Sequence, residues 1–331
     1  MTRQALIVGI NHYREMEDLR ACVADAESIA AALGTHKDDS RNFLCTIWPG
    51  VTDTNEEITR SRLRGAIRKL FESDGHVVLY FAGHGFASLS GGILGTSDST
   101  PDDWGVQMQD VVDETITSAA RQILIIIDCC HAGHLGNPGY LNAGRITPPI
   151  AVLRENTTLM LASRSTENAY EENGHGMFTA ALVDGLEGGA ADHMGFVSAP
   201  ALYTYARRRF SASPQSPVFK TNSTEVFQVR ECAPLIARFE LLRLLDFFPQ
   251  IDCKFQLDPD YEPEDEHGNM KQPVDMKKLE VARLFKIYRD AGLLTSTEVG
   301  LQFFWVARHN KTVELTARGR EYWWLVSNGK V

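Results

Sequence analysis

Short apolar runs alternate with stretches in which apolar residues recur every three or four positions, and this alternation fills most of the first 230 residues. Unbroken runs at 4–10, 43–48, 76–82, 123–128 and 158–162 have strand length and are rich in Val, Ile, Leu and Phe, as strands covered on both faces are. Helical spacing occupies 22–33, 55–71, 107–120 and 176–185. Strand, helix, strand at this spacing predicts right-handed crossovers and an α/β fold, a mostly parallel sheet flanked by helices on both faces. Loops leaving Ala82, Asp128 and Ala162 would gather at one edge of that sheet, where such folds build their sites. The helix at 55–71 has a start signal in Thr54 with Glu57 three residues on, and Ile58, Leu63, Ile67 and Leu70 share one face. Two stretches rich in Gly, Pro and polar residues, 88–104 and 134–149, read as long loops that cover a substrate.

The pattern changes after residue 230, which divides the chain into domains at 1–230 and 234–331. APLIARFELLRLLDFF reads as a helix, LDPDYEPEDEHGN as an exposed loop and KKLEVARLFKIYRDAGLL as a second helix. FFWVARHNKTVELT reads as two strands around a His309-Asn310 turn, and TARGREYWWLV as a closing helix. Helices, a hairpin and a further helix resemble a small α+β winged-helix domain. From Pro234 onward there are 14 Lys and Arg against 15 Asp and Glu, but six of the acids lie within 258–266, so the remainder is basic. Arg308, His309 and Lys311 at the hairpin tip would suit a phosphate backbone, which makes nucleic acid one candidate partner of this domain and a protein the other.

Composition sharpens this picture. At 331 residues, 44% hydrophobic and 23% charged, the chain can bury one large core and one smaller. It has no uncharged apolar run of membrane-spanning length, and the start MTRQALIVGINHYRE has too short an apolar core for a signal peptide, so a cytoplasmic protein with no membrane partner is expected. The six cysteines form no disulfide framework, which agrees with a reducing compartment. A net charge of -10 disfavours indiscriminate nucleic-acid binding and suits basic peptide partners.

Reactive groups cluster at two strand exits, VVLYFAGHGF and LIIIDCCHAGHLG. A thiol is a weak nucleophile until it loses its proton, and in a parallel sheet the imidazole that takes it can come from the adjacent strand. His84 fits that role: glycines on both sides allow a sharp turn, and the Gly85 amide can face a developing oxyanion. His131 is a poorer base, because neighbouring side chains leaving a strand point in different directions. A zinc site from Cys129, Cys130, His131 and His134 is disfavoured, since structural zinc prefers thiols two to four residues apart.

At these residues the sequence resembles the caspase and metacaspase clan of cysteine peptidases. The matching blocks are ALIVGINHY with DLRACVADAESIAAAL, then VVLYFAGHG, then ILIIIDCCHAG, and weaker similarity continues to about residue 229. The clan's bacterial form ends its fourth strand in Asp-x-Cys-His-x-Gly. This implies that Cys130 is the nucleophile, His84 its general base, and the Gly85 and Cys130 amides the oxyanion hole. It also implies that Asp25 and Asp128 line the pocket for the residue before the cut, with Cys22, Ala82 and Ser163 around them. Paired carboxylates suit a guanidinium or ammonium group, so proteins with exposed Arg, and secondarily Lys, are the expected substrates. Ala21, Ala24 and Ala82 stand where relatives carry Gly, Asn and often Ser, which loosens that preference. No cofactor is expected; many metacaspases need calcium, for which Asp98, Asp102, Asp103 and Asp110 are the candidates. By the same analogy Arg145 and Arg154 are candidate processing sites, and an upstream activating protease or a regulatory partner is a further candidate partner. The resemblance implies a regulated bacterial defence or cell-death effector. The alternative is a non-catalytic scaffold whose winged helix binds DNA or a regulatory partner.

Overall fold

The computed structural model describes residues 2–49, 57–88, 91–129, 153–162, 171–172, 175–211, 217–262, 264, 275–298 and 300–331. They divide into two compact units, one of Met1–Ala191 with Gly195–Ala233 and one of Asp192–Met194 with Pro234–Val331. In chain order the first unit contains β1 (Arg3–Gly9), α1 (Cys22–Gly34), β2 (Leu44–Pro49), α2 (Arg60–Phe71), β3 (His76–Ala82), β4 (Gly85–Ser88), β5 (Gly91–Thr100), β6 (Asp103–Gln107) and α3 (Met108–Ile116). It continues with β7 (Gln122–Asp128), β8 (Thr157–Leu161), β9 (Glu171–Glu172), β10 (His175–Gly176), α4 (Met177–Asp184), β11 (Phe196–Ser198), α5 (Ala199–Arg209), β12 (Val218–Asn222) and β13 (Gln228–Glu231).

Six strands form the central sheet in the order β12-β8-β7-β3-β1-β2, with β12 antiparallel and the other five parallel. Alternation along each strand sends Ala5, Ile7, Tyr80 and Ile126 to one face, against α1, α4 and α5, and Leu6, Val8, Phe81 and Ile127 to the other, against α2 and α3. Every residue of β7 is buried, which is why its sequence reads as an unbroken apolar run. The α/β class and the two-faced cover are as the periodicity predicts.

Three local expectations fail. The helix expected from residue 55 begins at Arg60, where Thr59 accepts the Arg62 N–H at 3.4 Å; Thr54 lies outside the described residues, and Glu57 pairs instead with Arg14. The stretch 88–104, read as a covering loop, is largely an antiparallel sheet of β4, β5 and β6, whose Gly, Ser and Thr residues pair backbone to backbone without an apolar run to announce them. The helix read at 107–120 ends at Ile116.

The second unit contains α6 (Arg238–Leu242), α7 (Leu244–Phe247), β14 (Lys254–Gln256), α8 (Met276–Asp290), β15 (Leu294–Ser296), α9 (Phe303–Arg308), β16 (Thr312–Leu315) and α10 (Ala317–Ser327). Its core joins Leu241, Leu244, Phe248, Phe285, Tyr288, Val306, Val313 and Tyr322. The expected hairpin at 303–316 is not formed. Phe303, Val306 and Ala307 are the buried residues of its first half, a three-and-four spacing that makes a helix despite the aromatic composition. β16 instead lies between β14 and β15, antiparallel to both. The cationic tip read there is partly neutralised, with Lys311 held by Glu298 at 2.6 Å. The single helix read over 233–248 is two short ones, broken at Arg243.

Candidate active site

Gly9, Ala82 and Asp128 lie side by side where β1, β3 and β7 end. A Cβ on Gly9 would stand 2.1 Å from the Cys22 carbonyl oxygen and 2.9 Å from the Ala26 Cβ, so the first turn of α1 rests directly on the strand backbone. That contact delivers Asp25, in the first turn of α1, to the end of the sheet.

Asp25 and Asp128 meet at the start of α4. Asp25 Oδ2 accepts the Gly176 N–H at 3.0 Å, and Asp128 Oδ2 accepts the Thr179 hydroxyl at 2.6 Å. A Cβ on Gly176 would lie 2.7 Å from the Asp128 oxygen and 3.1 Å from that of Asp25, so the two carboxylates flank one glycine. They are only 2% and 7% exposed. Like charges withdrawn from water repel, and here the Gly176 N–H, the Thr179 hydroxyl and the positive end of α4 offset that repulsion. The Thr179 proton is committed to Asp128, so the Tyr80 phenol, 2.6 Å from the same oxygen, donates to Thr179. Burial first, and then the charges of Asp128 and Asp25, push the Tyr80 phenol well above its ordinary range and keep it protonated. Cys22 and Ala82 are buried in the same apolar cluster as Tyr80 and Phe178.

His84 stands two residues beyond Ala82. Its Nε2 is 2.7 Å from the Glu17 carbonyl oxygen, which can only accept, so Nε2 carries the proton and Nδ1 is the basic nitrogen of the neutral ring. The His84 N–H donates to the Tyr13 hydroxyl at 2.8 Å, and that hydroxyl donates to the Ile10 carbonyl at 3.2 Å. The Tyr13 ring packs on the imidazole with centroids 4.7 Å apart. The loop that supplies Tyr13 and Glu17 is itself tied: Asp18 lies 2.9 Å from His12 Nδ1 and accepts from the Tyr13 N–H at 3.1 Å, and the His12 contact first and the Tyr13 N–H second hold its carboxyl below the usual range. Gly85 opens β4 and pairs with Leu94.

Cys129 is 1% exposed and packs in the cluster that holds Phe81 and Ile127, on the opposite face from Asp128. A thiol in that position is shut away from a substrate. Cys130 and Ser163, with His131, His134 and Arg145, lie outside the described residues. Among the described residues no group of three or more His, Cys, Asp or Glu is arranged to hold a metal. Of the aspartates considered for calcium, Asp98 accepts from Thr96 and from the Arg60 N–H, Asp103 pairs with Arg60, and Asp110 lies 3.6 Å from Arg64.

The structure therefore brings Asp25 and Asp128 together and sets His84 beside the exit of the neighbouring strand. Sequence reasoning missed Tyr13, the Glu17 carbonyl, Tyr80, Thr179 and Gly176. A backbone carbonyl has no side-chain signature, and Tyr80 and Thr179 sit in apolar runs where they pass for packing residues. Gly176, in the polar NGHG run ahead of α4, carried a readable signal of close approach.

The chain belongs to the caspase-domain family, whose family model matches residues 2–228. Among solved structures, the crystal structure of protein GSU0716 from Geobacter sulfurreducens is similar at 19% identity and a TM-score of 0.48, over 68% of this chain and 95% of that one. No curated protein matches it. Among the described residues, no helix is long and apolar enough to cross a membrane.

Proposed function

We propose that the chain is a cysteine endopeptidase that cleaves proteins after Arg, and secondarily Lys, with Cys130 as nucleophile and His84 as general base. The observation that carries this reading is the register Ala82↔Asp128 on adjacent parallel strands: the two strands end at one level, and in the sequence His84 and Cys130 each follow two residues after those ends. His84 Nδ1 takes the proton of the Cys130 thiol, and the thiolate adds to the scissile carbonyl carbon. The Gly85 and Cys130 amides receive the oxyanion. Collapse breaks the C–N bond, the imidazolium returns its proton to the leaving amine, and water activated by the same ring releases the acyl group as a carboxylic acid. Glu17 and Tyr13 hold the ring through both transfers.

The basic preference is supported by Asp25 and Asp128, two buried carboxylates beside one glycine. An acidic side chain would be repelled there, whereas a guanidinium gains charge-assisted hydrogen bonds in a site with little competing water. Both carboxylates are covered in this conformation, so a substrate reaches them only after their cover is displaced. This agrees with an effector released by an upstream signal, and the reading extends to regulated bacterial defence or cell death on the strength of family resemblance.

Peptides ending in Arg, Lys or Asp before a fluorescent leaving group test the reading on the full chain. Turnover of the Arg peptide first and the Lys peptide second, absent in Cys130→Ala and in His84→Ala, is the expected result. Equal fluorophore release by wild type and Cys130→Ala, with and without calcium or proteolytic nicking, would overturn it in favour of a non-catalytic scaffold.

A further inference from the structure

The first turn of α4 grips both carboxylates of the candidate pocket. Gly176, its N-cap, donates its N–H to Asp25, and Thr179, its third residue, donates its hydroxyl to Asp128. Each contact is made to Oδ2, so one turn helps to orient both carboxylates. Thr179 is in turn fixed by the phenol of Tyr80, which rises from the middle of the central sheet and is fully buried. The result is a three-membered chain, Tyr80 to Thr179 to Asp128, anchored in the buried core of the first unit. Within it the Thr179 hydroxyl fixes where the Asp128 Oδ2 oxygen lies.

We propose that Thr179, held by Tyr80, is the positioning residue that makes the pocket prefer Arg over Lys. This inference rests on the peptidase reading above. A guanidinium is a planar fork whose donors must meet oxygens at fixed directions, whereas an ammonium is a compact charge with rotatable donors that tolerates a turned carboxylate. Fixing the Asp128 plane therefore favours the fork more than the point charge. Removing the Thr179 bond takes one directional constraint from Asp128, which costs the Arg substrate more than the Lys substrate, whose Coulombic attraction remains. Tyr80 carries no substrate contact in this scheme; it acts by keeping the Thr179 proton pointed at Asp128. Its phenol stays protonated throughout the working range because burial and the two neighbouring carboxylates push its titration well upward.

The test is the ratio of kcat/KM for otherwise identical Arg and Lys peptides in the full chain, for wild type, Thr179→Val, Thr179→Ser and Tyr80→Phe. Thr179→Val keeps the shape and removes the donor, and it should lower the Arg to Lys ratio by roughly fivefold or more, chiefly through the Arg substrate. Thr179→Ser restores the hydroxyl and should return the ratio to near that of wild type. Tyr80→Phe removes one oxygen atom from an otherwise intact ring and should give an intermediate ratio. A purely structural role would lower both substrates together, so a ratio unchanged in Thr179→Val overturns the inference. Should Thr179→Val fail to fold, Tyr80→Phe decides in the same way: an intermediate ratio supports the chain and an unchanged one overturns it. A wild-type chain that cleaves neither peptide, with or without calcium or proteolytic nicking, overturns the peptidase reading itself, and the positioning role falls with it.

Discussion

Removing the hydroxyl of Tyr13 isolates the support of the imidazole from the imidazole itself. In Tyr13→Phe the ring that packs 4.7 Å from His84 remains, and two hydrogen bonds disappear: the one accepted from the His84 N–H at 2.8 Å and the one donated to the Ile10 carbonyl at 3.2 Å. Tyr13 is buried, so water cannot readily replace either partner. A buried group left without its partner costs about 1–3 kcal/mol, so the substitution should destabilise the first unit by about 2 kcal/mol. For a unit of this size that lowers the melting temperature by about 4–8 °C. The catalytic effect has a separate origin. His84 keeps its Nε2 contact to Glu17 and the Gly95 N–H on its carbonyl at 2.8 Å but loses the bond that holds its own N–H, and a displacement of ~1 Å at a reacting group can cost about a hundredfold in rate. The expected outcome is a kcat lowered by about tenfold to a hundredfold with little change in KM, since no substrate contact is lost. Differential scanning calorimetry and Arg-peptide kinetics at matched temperature read the two effects apart. A melting temperature that falls while kcat stays at the wild-type value would refute a positioning role for the hydroxyl.

Further predictions follow from other parts of the site and sheet. Cys130→Ala should abolish peptide turnover with the melting temperature intact, whereas Cys129→Ala, which trims a side chain 1% exposed in the core, should retain turnover and lose about 1 kcal/mol by denaturant titration. Gly176→Ala meets a backbone at φ -62, ψ 129 that accepts alanine, but its methyl would stand 2.7 Å from Asp128 Oδ2; kcat/KM for Arg peptides should fall about tenfold or more, with about 1–3 kcal/mol of overpacking in a melting experiment. Burial in β12 pulls the Lys220 ammonium from an ordinary value of 10.5 down to about 8, so the unfolded chain holds that proton more tightly. Stability should therefore be fullest above about pH 10.5, decline as pH falls toward about 8 and stay level below, and Lys220→Met should flatten this limb and raise the melting temperature at pH 7.

What the sequence made legible is what burial and periodicity encode. The runs through Val77–Phe81 and Ile123–Ile127 are apolar on both faces because both faces are covered, and the two strands lie side by side as their exits, GHG and DCCH, suggested. His84 could be picked out because a titratable group ends an apolar run between two glycines, whereas Asp25 and Asp128 are picked out by the family resemblance. Failures occur where pairing is carried by the backbone. β5 reads as a loop because Gly91–Thr100 offers its neighbours main-chain groups and small polar side chains rather than an apolar face. α9 reads as a strand because Phe-Phe-Trp-Val favours strands in isolation, while the core it meets takes up Phe303, Val306 and Ala307. The Glu17 carbonyl was beyond reach for the same reason: every residue has one, and only the fold decides which carbonyl meets the imidazole.

The contact between Gly9 and Cys22 has a consequence for how this pocket can change. With strand and helix touching main chain to main chain, no side chain is interposed whose resizing would shift Asp25 by small steps. One wall of the candidate pocket is thus as stiff as the scaffold beneath it, and in the proposed peptidase new substrate tastes would be acquired by remodelling the opposite wall.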